Sequence, residues 1–186
     1  MIIKLAETKK ELEEILTLQD RNHLDNISVE KRTSNGFVTV KHDVELLIKM
    51  NNSAQQIIAI ENNKVVGYAL VMLKSFSEMI PVLTPMFQMF EKLEYNQKPL
   101  IEYNYYVMGQ ICIDESVRGT GVFQKLYSKH KECYAQQFEI CLTEVSTSNS
   151  RSMSAHGKVG FKTIHSFKDE TDTWNILLWD WNNSNG

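Results

Sequence analysis

The chain has 186 residues, 42% of them hydrophobic and 23% charged, with 20 basic against 23 acidic side chains and a formal net charge of −3. That balance belongs to a folded globular protein with enough chain for a sizeable core, and 3 Pro with 8 Gly exclude collagen-like, low-complexity and disordered classes. Basic residues never run beyond pairs, which excludes a phosphate-tracking stripe for nucleic acid, and no run approaches the roughly 18–20 apolar residues of a membrane helix.

Residues 2–5 read as a short apolar strand. Thr8-Lys9-Lys10-Glu11 follows with the Ser/Thr-x-x-Glu form of a helix capping box. Leu12, Ile15, Leu16 and Leu18 recur at helical spacing, so the chain enters an amphipathic helix. Residues 41–50, with Val44, Leu47 and Ile48 on one face, predict a second helix. Two β-prone runs, 55–60 and 65–73, flank the polar turn Glu61-Asn62-Asn63-Lys64 and predict a hairpin. Residues 75–99 are rich in Met, Phe and Leu and read as an inserted helix carrying core, dimer-contact or substrate-lining side chains.

Residues 103–113 form a long β-prone run in which Gly109 marks a bulge or a close backbone approach. The loop Arg118-Gly119-Thr120-Gly121 then feeds a helix over 122–138, a strand over 140–145, a short helix from about Ser150 with a stop at Gly160, and strands over 161–167 and 173–181. The sum predicts one α/β domain over residues 1–186, built on a mixed, largely antiparallel sheet. An N-terminus without a signal-like apolar core, together with Cys112, Cys133 and Cys141 in no CxxC pair, predicts a cytoplasmic protein with reduced thiols.

The most informative stretch is strand, glycine turn, helix. Such a turn presents helix-start N–H groups that have no intrahelical partner, and the helix dipole makes it a ready anion site. It has neither P-loop spacing nor the third glycine of a dinucleotide fingerprint. With Ile111-Cys112-Ile113 before it, Arg118-x-x-Gly121 resembles the Gln/Arg-x-x-Gly-x-Gly/Ala coenzyme loop of the GCN5-related N-acetyltransferases, except that Phe123 stands where a small residue is expected. A second block agrees: Asn149 followed at family spacing by Gly160-Phe161 resembles that family's Asn…Tyr-x-x-x-Gly-Phe segment, with His156 in the tyrosine's place.

The resemblance runs over about 55–167 and is densest over 111–161. It implies that fold, acetyl-CoA as co-substrate without a metal, and an amine acceptor on a small molecule or peptide. Coenzyme contacts are then expected from Ile111, Cys112, Ile113, Arg118, Gly119, Thr120, Gly121, Val122, Phe123, Gln124 and Asn149. Acyl transfer to an amine needs a neutral amine, a stabilised oxyanion and a proton for the leaving thiolate. His156 is the candidate proton donor. Glu144, on the strand before Asn149, is the candidate acceptor of the amine proton, or else an outward-facing strand residue. Lys125, Lys129 and Lys131 either meet the ribose phosphate or are solvated. No metal-ligand spacing is present, no nucleic-acid or membrane partner is expected, and a homodimer is compatible with the insert. The alternative function is a non-catalytic acyl-CoA-binding sensor. The acceptor's identity would reside in segments such as 21–35 and 75–99, which carry no legible signature.

Overall fold

The computed structural model describes residues 1–28 and 37–182, so part of the 21–35 segment lies outside the described residues. A seven-stranded sheet runs in the order β1 (Ile2–Leu5), β2 (Ile57–Glu61), β3 (Lys64–Met72), β6 (Tyr105–Ile113), β7 (Ile140–Ser146), β9 (Thr173–Asp180), β8 (Lys162–Lys168). The β6–β7 pair is parallel and the other neighbours are antiparallel, so the mixed, mostly antiparallel sheet expected from the sequence is the observed one. The strands β4 (Glu94–Tyr95) and β5 (Lys98–Pro99) pair separately.

Local chemistry sets the element boundaries. At the start of α1 (Lys9–Asn22), Thr8 Oγ1 accepts the Glu11 N–H at 3.2 Å while Glu11 Oε2 accepts the Thr8 N–H at 3.0 Å, completing the capping box. The second helix, α2 (Val44–Ser53), begins three residues later than periodicity suggested, because the Asp43 carboxylate caps the Leu46 N–H at 2.8 Å. Asn62 and Asn63 turn the β2–β3 hairpin at φ of 50° and 60°, a left-handed pair that asparagine tolerates. The inserted segment is not one helix. Pro81 and Pro85, each lacking an N–H, sit at the starts of separate short elements: 3₁₀ turns at Lys74–Met79 and Pro81–Leu83, then α3 (Thr84–Phe90).

Alternation along the central strands buries both faces. Ile58, Tyr68 and Leu70 meet Leu12, Ile15, Leu18 and Leu47 of α1 and α2, while Ile57, Ala69 and Val71 meet Leu126 and Tyr127 of α4 (Val122–Tyr134). Each of those fully buried aliphatic side chains contributes about 1.5–3 kcal/mol. Met86, Phe87 and Phe90 of the insert pack on Tyr105, Val107, Ile140 and Leu178 and are core, whereas Met79 is 51% exposed.

The last helix, α5 (Ser150–Val159), stops at Gly160 with φ of 111°, and a Cβ placed there would lie 2.8 Å from Trp179 Nε1. Strain and steric conflict act together at this position, so Gly160→Ala is expected to lower unfolding free energy by about 2–4 kcal/mol in a urea titration. A loss below 0.5 kcal/mol would show that the α5 terminus yields freely.

Two irregularities of the sheet build the site. Between Ala69 and Val71 of β3 the partner on β6 slips from Ile111 to Met108, so β6 bulges by one residue at Gly109-Gln110. On its other edge, β6 pairs with β7 over Tyr105↔Ile140, Tyr106↔Cys141 and Val107↔Leu142 and then diverges from it. Thr143 Oγ1 donates to Met108 O at 2.9 Å at the fork. Beyond it, a wedge opens between the two strands.

Candidate active site

A cleft of about 690 Å³ lies at the open end of the wedge, between the start of α4 and one face of α5. It is lined by Ile111, Cys112, Ile113, Arg118, Gly119, Gly121, Val122, Phe123, Gln124 and Asn149, so all but one of the residues expected to hold the coenzyme converge on it. The exception is Thr120, whose hydroxyl turns back to donate to Val117 O at 2.7 Å. Sequence reading missed Asn22 and Phe37, as well as Arg151, Ser154, Ala155 and Lys158 of α5. Those four stand at i, i+3, i+4 and i+7, a helical face legible in retrospect. The lysines of α4 are elsewhere: Lys129 pairs with Glu132 at 2.5 Å, and Lys131 lies 5.9 Å from the centre of the Trp179 ring.

Gly119 and Gly121 adopt φ of 80° and 81°, and where a Cβ would stand on either, no atom beyond the adjacent residues lies within 4 Å. The turn is therefore open towards the cleft. The Lys125 N–H is the one that reaches Gly121 O, which leaves the Val122, Phe123 and Gln124 amides without intrahelical partners at an N-cap that has no side chain. Arg118 holds the turn in place, donating through Nε to Ile113 O at 3.0 Å and through Nη2 to Asn22 Oδ1 at 2.7 Å. Its Nη1 is buried with no hydrogen-bond partner. Free amides on a left-handed glycine turn, braced from behind by the Arg118 guanidinium, make a cradle for an anionic group. Phe123 does not block it, since its ring packs on Tyr127 and edge-on against His156, with centroids 5.0 and 5.2 Å away.

A smaller pocket of about 80 Å³ adjoins the cleft, with Phe37, Ile111, Asn149 and Ser152 shared between them. Glu144, His156, Trp174 and the backbone of the bulge line it. Burial, reinforced by the charge of Asp169, pushes the Glu144 carboxyl up to about 8, and its Oε2 is buried without a hydrogen-bond partner. Burial lowers His156 to about 4, while the Ser152 carbonyl acts the other way. That carbonyl can only accept, so at 2.7 Å it fixes the proton on Nδ1 and leaves Nε2 as a buried lone pair without a partner. A neutral ring with no proton at Nε2 does not suit the donor role expected of His156, because desolvation disfavours the imidazolium that would have to form first. Among the described residues, no cluster of His, Cys, Asp or Glu could hold a metal ion, and no helix is long and apolar enough to cross a membrane.

No protein-family profile and no curated protein sequence matches the chain. Solved structures do. The ribosomal-protein-S18-alanine N-acetyltransferase of Escherichia coli superposes with a TM-score of 0.63 at 12% identity, covering 96% of this chain and 92% of that one. An N-acetyltransferase of Staphylococcus aureus Mu50 gives 0.61 at 18% identity over 96% and 97% of the two chains. A chain of the NatC complex bound to Gag peptide and CoA gives 0.63 at 10% identity over 96% and 97%. Together with the bulged strand, the forked β6–β7 pair and the glycine turn, these superpositions show that the chain has the fold of the GCN5-related N-acetyltransferases.

Proposed function

We propose that the protein is a cytoplasmic N-acetyltransferase that moves the acetyl group of acetyl-CoA to an amine of a small molecule or peptide by direct attack. The observation that carries this reading is the open glycine turn, whose three free amides face a cleft continuous with the wedge between β6 and β7. The coenzyme's pyrophosphate would sit on the amides of Val122, Phe123 and Gln124, and Asn149 would meet its pantetheine arm. The diverging edge of β6 would offer backbone N–H groups to the thioester oxygen. Three free thiols, Cys112 and Cys141 among them buried and pushed up to about 12, fit a reducing compartment and take no part as nucleophiles.

Within this scheme Glu144 receives the amine proton. A carboxyl that titrates near 8 is matched to an ammonium at neutral pH far better than an ordinary carboxylate. A leaving thiol with a solution pKa of about 8.5 departs with modest help, so His156 is assigned a lone-pair acceptor at Nε2 instead of an acid.

The test pairs calorimetry with acetyl-CoA and a thiol-release screen over an amine panel. Binding followed by release with at least one amine is the expected result, whereas binding without release for any amine would favour the acyl-CoA sensor. Gly121→Val forces a β-branched residue to φ near 81°, a strain of about 1–3 kcal/mol that should weaken acetyl-CoA binding about ten-fold or more. Unchanged affinity would remove the turn from the coenzyme site.

A further inference from the structure

Behind the bulge lies a buried polar chain that the scheme above does not use. Gln19 of α1 and Gln110 of β6, 3% and 7% exposed, meet in the core although 91 residues separate them. Backbone groups fix every orientation in the chain. The His42 N–H must donate, so at 2.8 Å it identifies Gln19 Oε1 as the acceptor and makes Gln19 Nε2 the donor to both His42 Nδ1 at 2.9 Å and Gln110 Oε1 at 2.8 Å. Gln110 Oε1 also takes the hydroxyl of Tyr68 at 2.6 Å, and Gln110 Nε2 donates to Val40 O at 2.9 Å.

What this chain grips is the strap formed by residues 37–42. Its Phe37–Val40 portion is one wall of the smaller pocket, facing Glu144 and the bulge. Elsewhere the strap is held by His23 Nε2 on Thr39 O at 3.1 Å, by backbone bonds between Val38 and the end of α1, and by a long 3.4 Å contact from Asn149 to Phe37 O. We propose that Gln19 and Gln110 are positioning residues, a clasp that seats the strap as the acceptor-side wall and keeps bulk water off the thioester. The proposal rests on the acetyl-CoA reading of the cleft. With the clasp opened, water enters beside β6: its oxygen bonds to the acetyl carbon, the C–S bond breaks, one of its protons goes to the departing sulfur and the other to solvent, and the products are the CoA thiol and acetate. Exclusion of such side reactions is a general benefit of a closed site.

The experiment compares wild type with Gln19→Leu, with the near-isosteric Gln19→Glu, whose carboxylate accepts from His42 but cannot donate to Gln110, and with Leu12→Ala, a truncation in the same helix outside the clasp. Acetyl-CoA affinity is read by calorimetry, acetyl-CoA hydrolysis without amine by thiol release, and the His42 amide by hydrogen exchange. Both Gln19 variants are expected to keep affinity within about two-fold and to raise hydrolysis about ten-fold, with the His42 amide exchanging faster than in Leu12→Ala. Unchanged hydrolysis, or an equal rise in Leu12→Ala, overturns the proposal and leaves the glutamines as packing. Wild-type protein that binds no acetyl-CoA overturns the function reading, and the proposal with it; binding with unaltered hydrolysis in the Gln19 variants overturns the clasp alone.

Discussion

Acidification from pH 6.5 to 4.5 is expected to remove about 2 kcal/mol of stability per pH unit, as measured by urea unfolding at a series of pH values. His42, His130 and His156 are buried neutral, with titration lowered from 6.5 to about 4, 3 and 4 by desolvation. A depressed histidine contributes stability that is complete above pH 6.5 and is lost as the pH falls towards its folded value, because the unfolded chain takes up a proton that the native one refuses. Glu144 has the opposite sign over the same window. Raised from 4.5 to about 8, it is protonated when folded and ionised when unfolded, so its contribution grows as the pH falls. Three histidines against one glutamate leave a net difference that grows from about half a proton at pH 6.5 to about two near pH 5, at about 1.4 kcal/mol per proton and pH unit. Below pH 4.5 the glutamate no longer opposes the histidines, but the folded chain itself takes up protons at His42 and His156 near pH 4, so the fall levels off instead of steepening. The loss across the window, about 4 kcal/mol, is a large fraction of a typical total of about 5–15 kcal/mol. His130→Gln should reduce the slope by about one proton, or about 1.4 kcal/mol per pH unit. A flat profile between pH 6.5 and 4.5 would show that these rings are hydrated.

How much of this was legible beforehand depends on how far apart the interacting residues lie in the chain. The capping box at Thr8 and Glu11, the Asn62-Asn63 turn and the Gly119 and Gly121 turn are local devices, and their side chains or backbone requirements announce them within four residues. The cleft proposed for the coenzyme was legible for the same reason, since its lining comes mainly from two continuous stretches, 111–124 and 149–158. The acceptor side was not. Its wall at Phe37–Val40 is seated by contacts to Asn22, Gln110 and Asn149, which no periodicity reports. The insert was misread for a different reason: apolar residues at near-helical spacing outweighed Pro81 and Pro85, which divide it into short turns. Residue type alone also left His156 as an acid. Its tautomer is decided by one carbonyl, that of Ser152, and its charge by the rings of Phe123, Tyr127 and Phe161 around it.

Glu144→Gln should separate chemistry from stability, because the two move in opposite directions. Loss of a general base costs about 10²–10⁴ in turnover, so transfer to whichever amine the thiol-release screen identifies should fall at least 100-fold, with acetyl-CoA affinity unchanged. In the wild type, kcat/KM should rise with pH through an apparent pKa near 8, and the variant should lose that limb while keeping any limb that belongs to the amine itself. Stability behaves in reverse. A raised carboxyl is fully stabilising below pH 4.5 and loses its contribution as the pH climbs to 8, an amount of roughly 3–5 kcal/mol if the whole shift is expressed. The wild type should therefore weaken between pH 5 and pH 9 by several kcal/mol more than Glu144→Gln does, a comparison from which the amide's own burial cost cancels. Undiminished turnover would move Glu144 out of the mechanism. Equal pH dependence in the two proteins would show that the carboxyl is hydrated in the folded state, and the smaller pocket would then be an ordinary surface recess instead of a place where an ammonium is made neutral.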